Sequence, residues 1–347
     1  MRYLQEYWKD VSNIVEFIPN IENIYDKKIL ITGATGMVCS SVIDVIAWLN
    51  HNYNAKIHLT LAGRSKEKIA DRFQDVLAEN EYQYIEYDAT KDQKIELKTN
   101  YIIHGASNAN PAIYAKEPAE TLLGNIVGLK SILEVAKNNQ DARILYISSS
   151  EIYGNRKSHL NEFYKENEYG YIDILNPRAC YPIGKRAAET LCACYLQEYN
   201  VDYVTVRLGH IYGPSITFTD TRASATFTKD AAVGRDIVMK SAGEQLRSYC
   251  YTLDCASAIL TVLINGKCGE AYNISNKDSV ASIRELAEAL ARAGGVKLRF
   301  EIPSSMEQRS YNLMNNSALN ADKLEQLGWK AIFSLEDGAR RTLKYYC

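Results

Sequence analysis

The sequence predicts an α/β fold, a doubly wound parallel sheet with a smaller lobe towards the C-terminus. Three observations predict it. From Lys28 to Leu208 short apolar runs alternate with helical patterns, the rhythm of parallel strands joined by helices on both faces of a sheet. The runs are continuously apolar, as strands covered on both faces must be. The first run ends in a glycine turn, "ITGATGMVC", that leads straight into a helix pattern.

The elements follow in order. Leu4, Trp8, Val11, Val15 and Ile18 recur in steps of four and three, the stripe of an amphipathic helix that Pro19 ends. "KILIT" is a strand and "MVCSSVIDVIAWLN" a helix; "KIHLTLAG" is a strand and "SKEKIADRFQDVLAEN" a charged helix. "YQYIEYDA" and "YIIHGAS" are strands, followed by the helix "ETLLGNIVGLKSILEVAKNN". "ARILYISSS" is the next strand, "RAAETLCACYLQEYN" the next helix, and "VDYVTVRL" a strand again. After Gly213 and Pro214 the rhythm loosens, and residues 215 to 250 read as loops and short elements over a cleft. "EAYNIS" is a further strand, and Ser282 with Glu285 forms a capping box that opens "IRELAEALARAGG". The expected organisation is an N-terminal helical extension (1–27), a nucleotide-binding domain (28–214 with about 250–264) and a substrate-binding lobe (215–249 and 265–347).

Composition narrows the function classes. The net charge of −2 gives no reason to expect nucleic acid or an anionic membrane as a partner. Eight Cys residues form no Cys-x-x-Cys pair, and the five His residues lack metal-ligand spacing, so reduced thiols and no metal site are expected. Arg2, Glu6, Lys9 and Asp10 interrupt the first residues, which lack the apolar stretch of a signal peptide. A cytoplasmic protein is expected.

The glycine turn carries the first functional signal. Gly33 permits the tight turn after the strand, and Gly36 lets the backbone approach a pyrophosphate at the helix N-terminus. Cys39 stands where the usual spacing has a third glycine, whose task is helix–strand packing. Cysteine is small enough to take that place with a modest shift of the helix, so the site is predicted to bind a dinucleotide. An NAD site usually has an acidic residue at the end of the second strand. "LAGRSKEK" has none and places Arg64 there, which favours NADP over NAD; stacking of Arg64 on adenine is the plainer reading. Asp88, after the third strand, is placed to accept a hydrogen bond from the adenine amino group.

The second signal is Tyr181 with Lys185, spaced to share one helix face, in the helix that follows the strand and serine cluster "ISSSEIYG" by one loop. An ammonium near the phenol lowers its pKa and makes Tyr181 a base near neutrality. Ser149, in "SSSEIYG", is expected to orient the same substrate oxygen.

With "GATGMVC", "IIHGAS", "SSSEIYG", "RACYPIGK", "HIYGP", "EQLRSYCYTLDCA" and "LNADKLEQLGW", the chain resembles the extended short-chain dehydrogenase/reductases, the nucleotide-sugar epimerase and dehydratase family, from about residue 28 to the end. "RACY" followed by "GKR" is similar to UDP-glucuronate decarboxylases. The resemblance implies a Rossmann fold and a homodimer formed through the helices at about 111–139 and 181–199, where Ala187, Ala188, Leu191 and Tyr195 would give a close-packing face. It also implies a nucleotide-diphosphate-sugar substrate. Ser149, Tyr181 and Lys185 would be the catalytic triad acting at the sugar C4, with Glu151 as an acid/base carboxylate. Thr35, Met37, Val38, Ala89, Gly105 and Ala106 would line the cofactor. Ser150, His210, Arg222 and Arg247 would contact substrate, the two arginines at its diphosphate.

Several positions depart from the family pattern. Asn316 stands where decarboxylases hold an Arg for the substrate carboxylate, which argues against decarboxylation; Arg309 lies near enough in sequence to be a substitute. His210 replaces an Asn and Ser215 an Arg. The reactions that follow are a 4,6-dehydratase or epimerase. The alternatives are an NADPH-dependent reductase or dehydrogenase of a nucleotide-linked keto-sugar or sugar alcohol, a UDP-glucuronate decarboxylase, and a non-catalytic NADP-binding protein.

Overall fold

The computed structural model describes residues 1–156, 163–217, 219–301 and 314–346. Strands β1 (Lys28–Thr32), β2 (His58–Gly63), β3 (Tyr82–Glu86), β4 (Tyr101–His104), β5 (Arg143–Ser149) and β6 (Asp202–Leu208) lie parallel in one sheet. Two small sheets follow from β7 (His210–Tyr212), β8 (Ile237–Met239) and β9 (Leu246–Tyr251), and β10 (Ala271–Ile274) then returns to pair with β6. The order is β10-β6-β5-β4-β1-β2-β3. The chain first winds outward from β1 to β3 and then restarts at β4 on the other side of β1. That reversal leaves a crevice at the C-terminal ends of β1 and β4, where open α/β sheets bind ligands. In the smaller sheets β11 (Val280–Ser282) pairs with β9, and β12 (Leu298–Phe300) pairs with β8.

Strand periodicity sorts the core into two layers. Ile29 and Ile31 of β1 and Leu145 and Ile147 of β5 face helix α2 (Met37–Tyr53), whose buried Val42, Ile43 and Ile46 join the same cluster. Leu30, Ile144 and Tyr146 face the other way, with Leu129, Ile132 and Leu133 and with Ala188 and Cys192. Successive side chains of a strand point to opposite faces, so one short apolar run serves both layers.

Helix α1 (Gln5–Val15) is bound into this body. Tyr7 donates from its hydroxyl to Asp44 on α2 at 2.6 Å and Tyr3 at 3.1 Å, with Arg72 at 3.7 Å. Asp44 is fully buried, and burial pushes its carboxyl up against the opposing pull of Arg72 and the two phenols. Asp10 accepts from Arg341 at 2.8 Å and from the Tyr345 hydroxyl at 2.7 Å, which ties α1 to the last helix, Leu335–Tyr345.

Four expectations change. Helix α3 spans only Lys66–Phe73; past it the Val76 amide makes a tighter bond, three residues back, to the Phe73 carbonyl, and Val76 and Leu77 are buried. The helix expected over 111–139 is two, α4 (Pro111–Lys116) and α5 (Pro118–Lys137). Pro118 bars a helical conformation at Glu117, which sits at φ −132°, ψ 61°. The looser stretch 215–250 contains a helix, α7 (Ala223–Ala232). Residues 265–347 do not lie wholly in the smaller lobe, since β10 is an edge strand of the central sheet. Its apolar "AYNI" is too short to signal which sheet it joins.

Replacing Tyr7 by Phe leaves the buried Asp44 short of its closest donor. We expect a loss of about 1–3 kcal/mol, read as a lower midpoint in urea unfolding with an unchanged slope.

Candidate active site

The crevice floor is set by glycines. Gly33 has φ 70°, and a Cβ there would lie 2.8 Å from the amide of Ala106 and the carbonyl carbon of Gly105. Gly36 is exposed and caps α2 with no side-chain acceptor, so the first-turn amides of a 17-residue helix face the crevice. Such a terminus suits a pyrophosphate, and the residues present therefore fit a dinucleotide. Cys39 is accommodated by Gly105 rather than by a helix shift alone: a Cβ at Gly105 would stand 2.4 Å from the Cys39 sulfur. Met37 is buried, and its carbonyl accepts from Ser40, Ser41 and Ser215. Thr35 and Val38 are half-buried beside it. The Ala106 amide donates to Thr32 Oγ1 at 3.2 Å, so it is already engaged.

The adenosine end lies at β2 and β3. Arg64 is exposed at the end of β2, with no acidic residue beside it in the turn. Asp88 accepts from the Thr90 amide and hydroxyl; those bonds with Lys91 and Arg64 outweigh burial and hold its carboxyl below the usual range. Ala89 packs so closely on α5 that a Cβ at Gly128 would meet its Cα at 2.7 Å.

The catalytic candidates converge where β5 ends and α6 (Cys180–Tyr199) begins. Ser149 accepts from the Glu151 amide at 3.2 Å, and its hydroxyl lies on the side of Tyr181 where it favours the phenolate. Lys185 is buried one turn along α6 from Tyr181. Its ammonium donates to the Ile147 carbonyl at 2.7 Å and sits 4.8 Å from the Tyr146 ring centre and 5.8 Å from that of Tyr181. The Tyr181 phenol is not lowered. Burial and the neighbouring Glu151 push it up to about 12, against Ser149, Arg222 and Arg178. Burial brings Lys185 down to about 7, with Glu189 and Cys39 opposing.

Two residues that the sequence reading missed complete this wall. Arg178 grips Glu151 through both guanidinium nitrogens, each bond 3.0 Å. Its guanidinium also lies 5.0 Å from the Tyr114 ring centre, and Tyr114 stacks on Tyr181 at 4.8 Å and 12°. Arg178 stands three residues before Tyr181, a spacing that could have flagged it; Tyr114 carries no such signal. Glu151 and Arg178 line a cleft of about 190 Å³ with Asn155, Tyr171, Asn176 and Met314.

The substrate candidates lie across from this wall. Ser150 is buried. Burial, with Arg247 and Arg222, brings His210 down to about 3, and its Nδ1 has no hydrogen-bond partner among the described residues. Arg222 is paired with Asp220 at 2.6 Å. Arg247 is buried and donates to the Leu246 carbonyl at 2.8 Å, without a carboxylate in ion-pair reach among the described residues. Asn316 accepts from the Ala318 amide and carries no charge to the site. Arg309 lies outside the described residues. Among those residues no cluster of metal ligands occurs, and no helix is long and apolar enough to cross a membrane.

A doubly wound sheet with a glycine-cradled crevice, and a Ser, Tyr and Lys gathered at the end of β5, define an extended short-chain dehydrogenase/reductase. More narrowly, residues 29–275 match the sequence model of the NAD dependent epimerase/dehydratase family, and the chain belongs to that family of enzymes. It is 28% identical to UDP-glucuronic acid decarboxylase 1 of Xenopus tropicalis over 92% of this chain and 72% of that protein. It is 27% identical to UDP-glucuronic acid decarboxylase 6 of Arabidopsis thaliana over 90% and 86%. Among solved structures, a UDP-glucose 4-epimerase from Thermotoga maritima superposes with a TM-score of 0.77 at 23% identity, covering 92% of this chain and 98% of that one. A dTDP-glucose 4,6-dehydratase from Streptomyces venezuelae, solved with NAD, superposes with 0.76 at 20% identity over 92% and 96%.

Two outcomes follow from this geometry. Gly105→Ala should cost about 1–3 kcal/mol and weaken dinucleotide binding measured by calorimetry, and adding Cys39→Gly should recover much of both. The second concerns Lys185. Its folded pKa lies below its free value, so the unfolded chain binds more protons between about 7 and 10.5. Stability relative to Lys185→Met should therefore rise with pH through that window, read by denaturation midpoints.

Proposed function

We propose that this enzyme oxidises C4 of a nucleotide-linked sugar and then resolves the ketone as a 4,6-dehydratase or a 4-epimerase. The observation that carries the reading is the convergence of Ser149, at the end of β5, with Tyr181 and Lys185, at the start of α6, beside the glycine crevice. Tyr181 takes the proton of the sugar 4-hydroxyl, and Ser149 holds that oxygen. A bound nicotinamide dinucleotide supplies the acceptor for the C4 hydride. Arg222 and the buried Arg247 bind the substrate diphosphate, for which a planar guanidinium is suited. Arg64, exposed where an NAD-selective acid would stand, supports NADP.

Decarboxylation of a uronic acid is the second reading, supported by the names of the curated relatives. The uncharged Asn316 weighs against it, since a carboxylate taken from water without a cation binds poorly. An NADPH-consuming reductase is the third, motivated by Arg64. A homodimer fits the outer sides of α5 and α6, where Leu123 is 53% and Tyr199 39% exposed. Ala188 and Tyr195, expected on that face, are buried in the chain's own core, so the close-packing surface is smaller than the sequence suggests. A cytoplasmic location is part of the same reading.

Mass spectrometry of the nucleotide released on denaturation comes first. Stoichiometric NAD⁺ or NADP⁺ is the expected result; an empty chain that binds NADPH reversibly would favour the reductase. Tyr181→Phe should then lower C4 oxidation of the active nucleotide-sugar about 100- to 10,000-fold, and full activity would overturn the proposal. Glu151→Gln should abolish dehydration and largely spare epimerisation.

A further inference from the structure

The cleft contains a conflict that the trio of Ser149, Tyr181 and Lys185 does not resolve. Tyr181 has to become an anion to act as a base. Yet Glu151 lines the same cleft wall as the adjoining Pro182 and is linked to the Tyr181 ring through Arg178 and Tyr114, and its charge opposes that of a phenolate. Two like charges in a poorly hydrated site disfavour each other strongly. The residue that stands between these demands is Arg178. It holds Glu151 bidentately at 3.0 Å and 3.0 Å, and both side chains are 19% exposed. On its other side it covers Tyr114, whose ring stacks on Tyr181. The fork geometry fixes the carboxylate plane as well as its charge.

We propose that Arg178 is a positioning residue that neutralises Glu151 beside Tyr181, so that an acid–base carboxylate and a tyrosine that must ionise can share one cleft. This rests on the C4-oxidation reading for its use, but the electrostatic arrangement stands without it. The other groups facing Tyr181 do not substitute. Ser149 is a hydroxyl and brings no charge. Lys185 is tied to the Ile147 carbonyl beneath Tyr146. Arg222 favours the phenolate but is itself paired with Asp220. Tyr114 and Tyr146 are neutral phenols held by burial. Only Arg178 touches the opposing carboxylate directly among the described residues.

The sign of each substitution follows. Removing Arg178 leaves Glu151 without its direct partner, with only the more distant Arg247 acting on it among the described residues, and makes Tyr181 harder to ionise. Removing Glu151 leaves Arg178 uncompensated and makes it easier. Removing both returns it near the starting value. A residue with a purely structural role would not produce opposite signs that cancel.

The test places a fluorotyrosine at position 181 of the full-length protein, which brings its titration into an accessible range, and follows it by fluorine NMR. Arg178→Gln is expected to raise the apparent pKa by about one unit, a tenfold change in ionisation. Glu151→Gln should lower it, the double variant should lie near the parent, and Arg178→Lys, which keeps the charge, should stay close to the parent. An unmoved Arg178→Gln, or a shift of both single variants in the same direction, would overturn the proposal. If Arg178→Gln does not fold, Glu151→Gln decides, because failure to lower the pKa overturns it equally. Because the titration needs no substrate, it also separates the two readings. A protein that turns over no nucleotide-sugar but shows the opposed shifts sinks the C4 reading alone. One that oxidises C4 with no shifts sinks only the role given to Arg178.

Discussion

The site depends on how closely two loops meet at the C-terminal edge of the sheet. The turn after β1 and the start of the loop after β4 are near enough that neither Gly33 nor Gly105 has room for a Cβ. Parallel pairing of β1 with β4, Ile29 beside Tyr101 through Thr32 beside His104, brings them there. The closeness leaves a shallow floor with an uncapped helix terminus above it, and a phosphate can approach that backbone as it could approach no side chain. It also explains how Cys39 replaces a glycine. The sulfur occupies volume that a side chain at position 105 would need, so the two positions are read together or not at all.

Charge is placed around that floor with clear economy. Glu189, behind the catalytic strand, accepts from Ser148 and is held by Arg207 at 2.7 Å. Glu151 is held by Arg178 and Asp220 by Arg222. These carboxylates therefore enter a low-dielectric region already matched, which is the condition under which a buried charge is tolerated. His104, stacked on Tyr146 and bonded to Thr32, is brought to about 3 by burial and by Lys185, and so adds a dipole and no charge beneath the crevice. Arg247 is the exception, a buried cation that donates to a backbone carbonyl and has no carboxylate in ion-pair reach among the described residues. An anionic ligand is the natural complement to such a group, in keeping with the proposed diphosphate.

The N-terminal helix belongs to the same design at longer range. Asp44 lies on α2, the helix whose terminus faces the crevice, and is anchored from outside by Tyr3 and Tyr7. Asp254, in helix α8 (Thr252–Asn265), accepts from the Ile332 and Phe333 amides, and burial pushes it up to about 7. Through these contacts the first and last segments of the chain hold the helix layer that backs the nucleotide side of the sheet. Rigid support of this kind is what a preformed cradle requires, because an amide misplaced by a fraction of an ångström loses its bond to phosphate.

Local pattern in the sequence determined the strands, the glycine turn, and the Ser, Tyr and Lys as a group. Each of those signals is short-range: a periodicity of two or 3.6, a turn that only glycine accommodates, and a spacing of four on one helix face. What only the tertiary structure decided is how side chains distant in sequence share a few ångströms. Tyr114 reaches Tyr181 from another helix, Arg178 reaches Glu151 across a loop, β10 chooses the central sheet, and the Lys185 ammonium finds the Ile147 carbonyl. Those outcomes depend on burial and on which partner is nearest in space, and neither quantity is written in the order of residues along the chain.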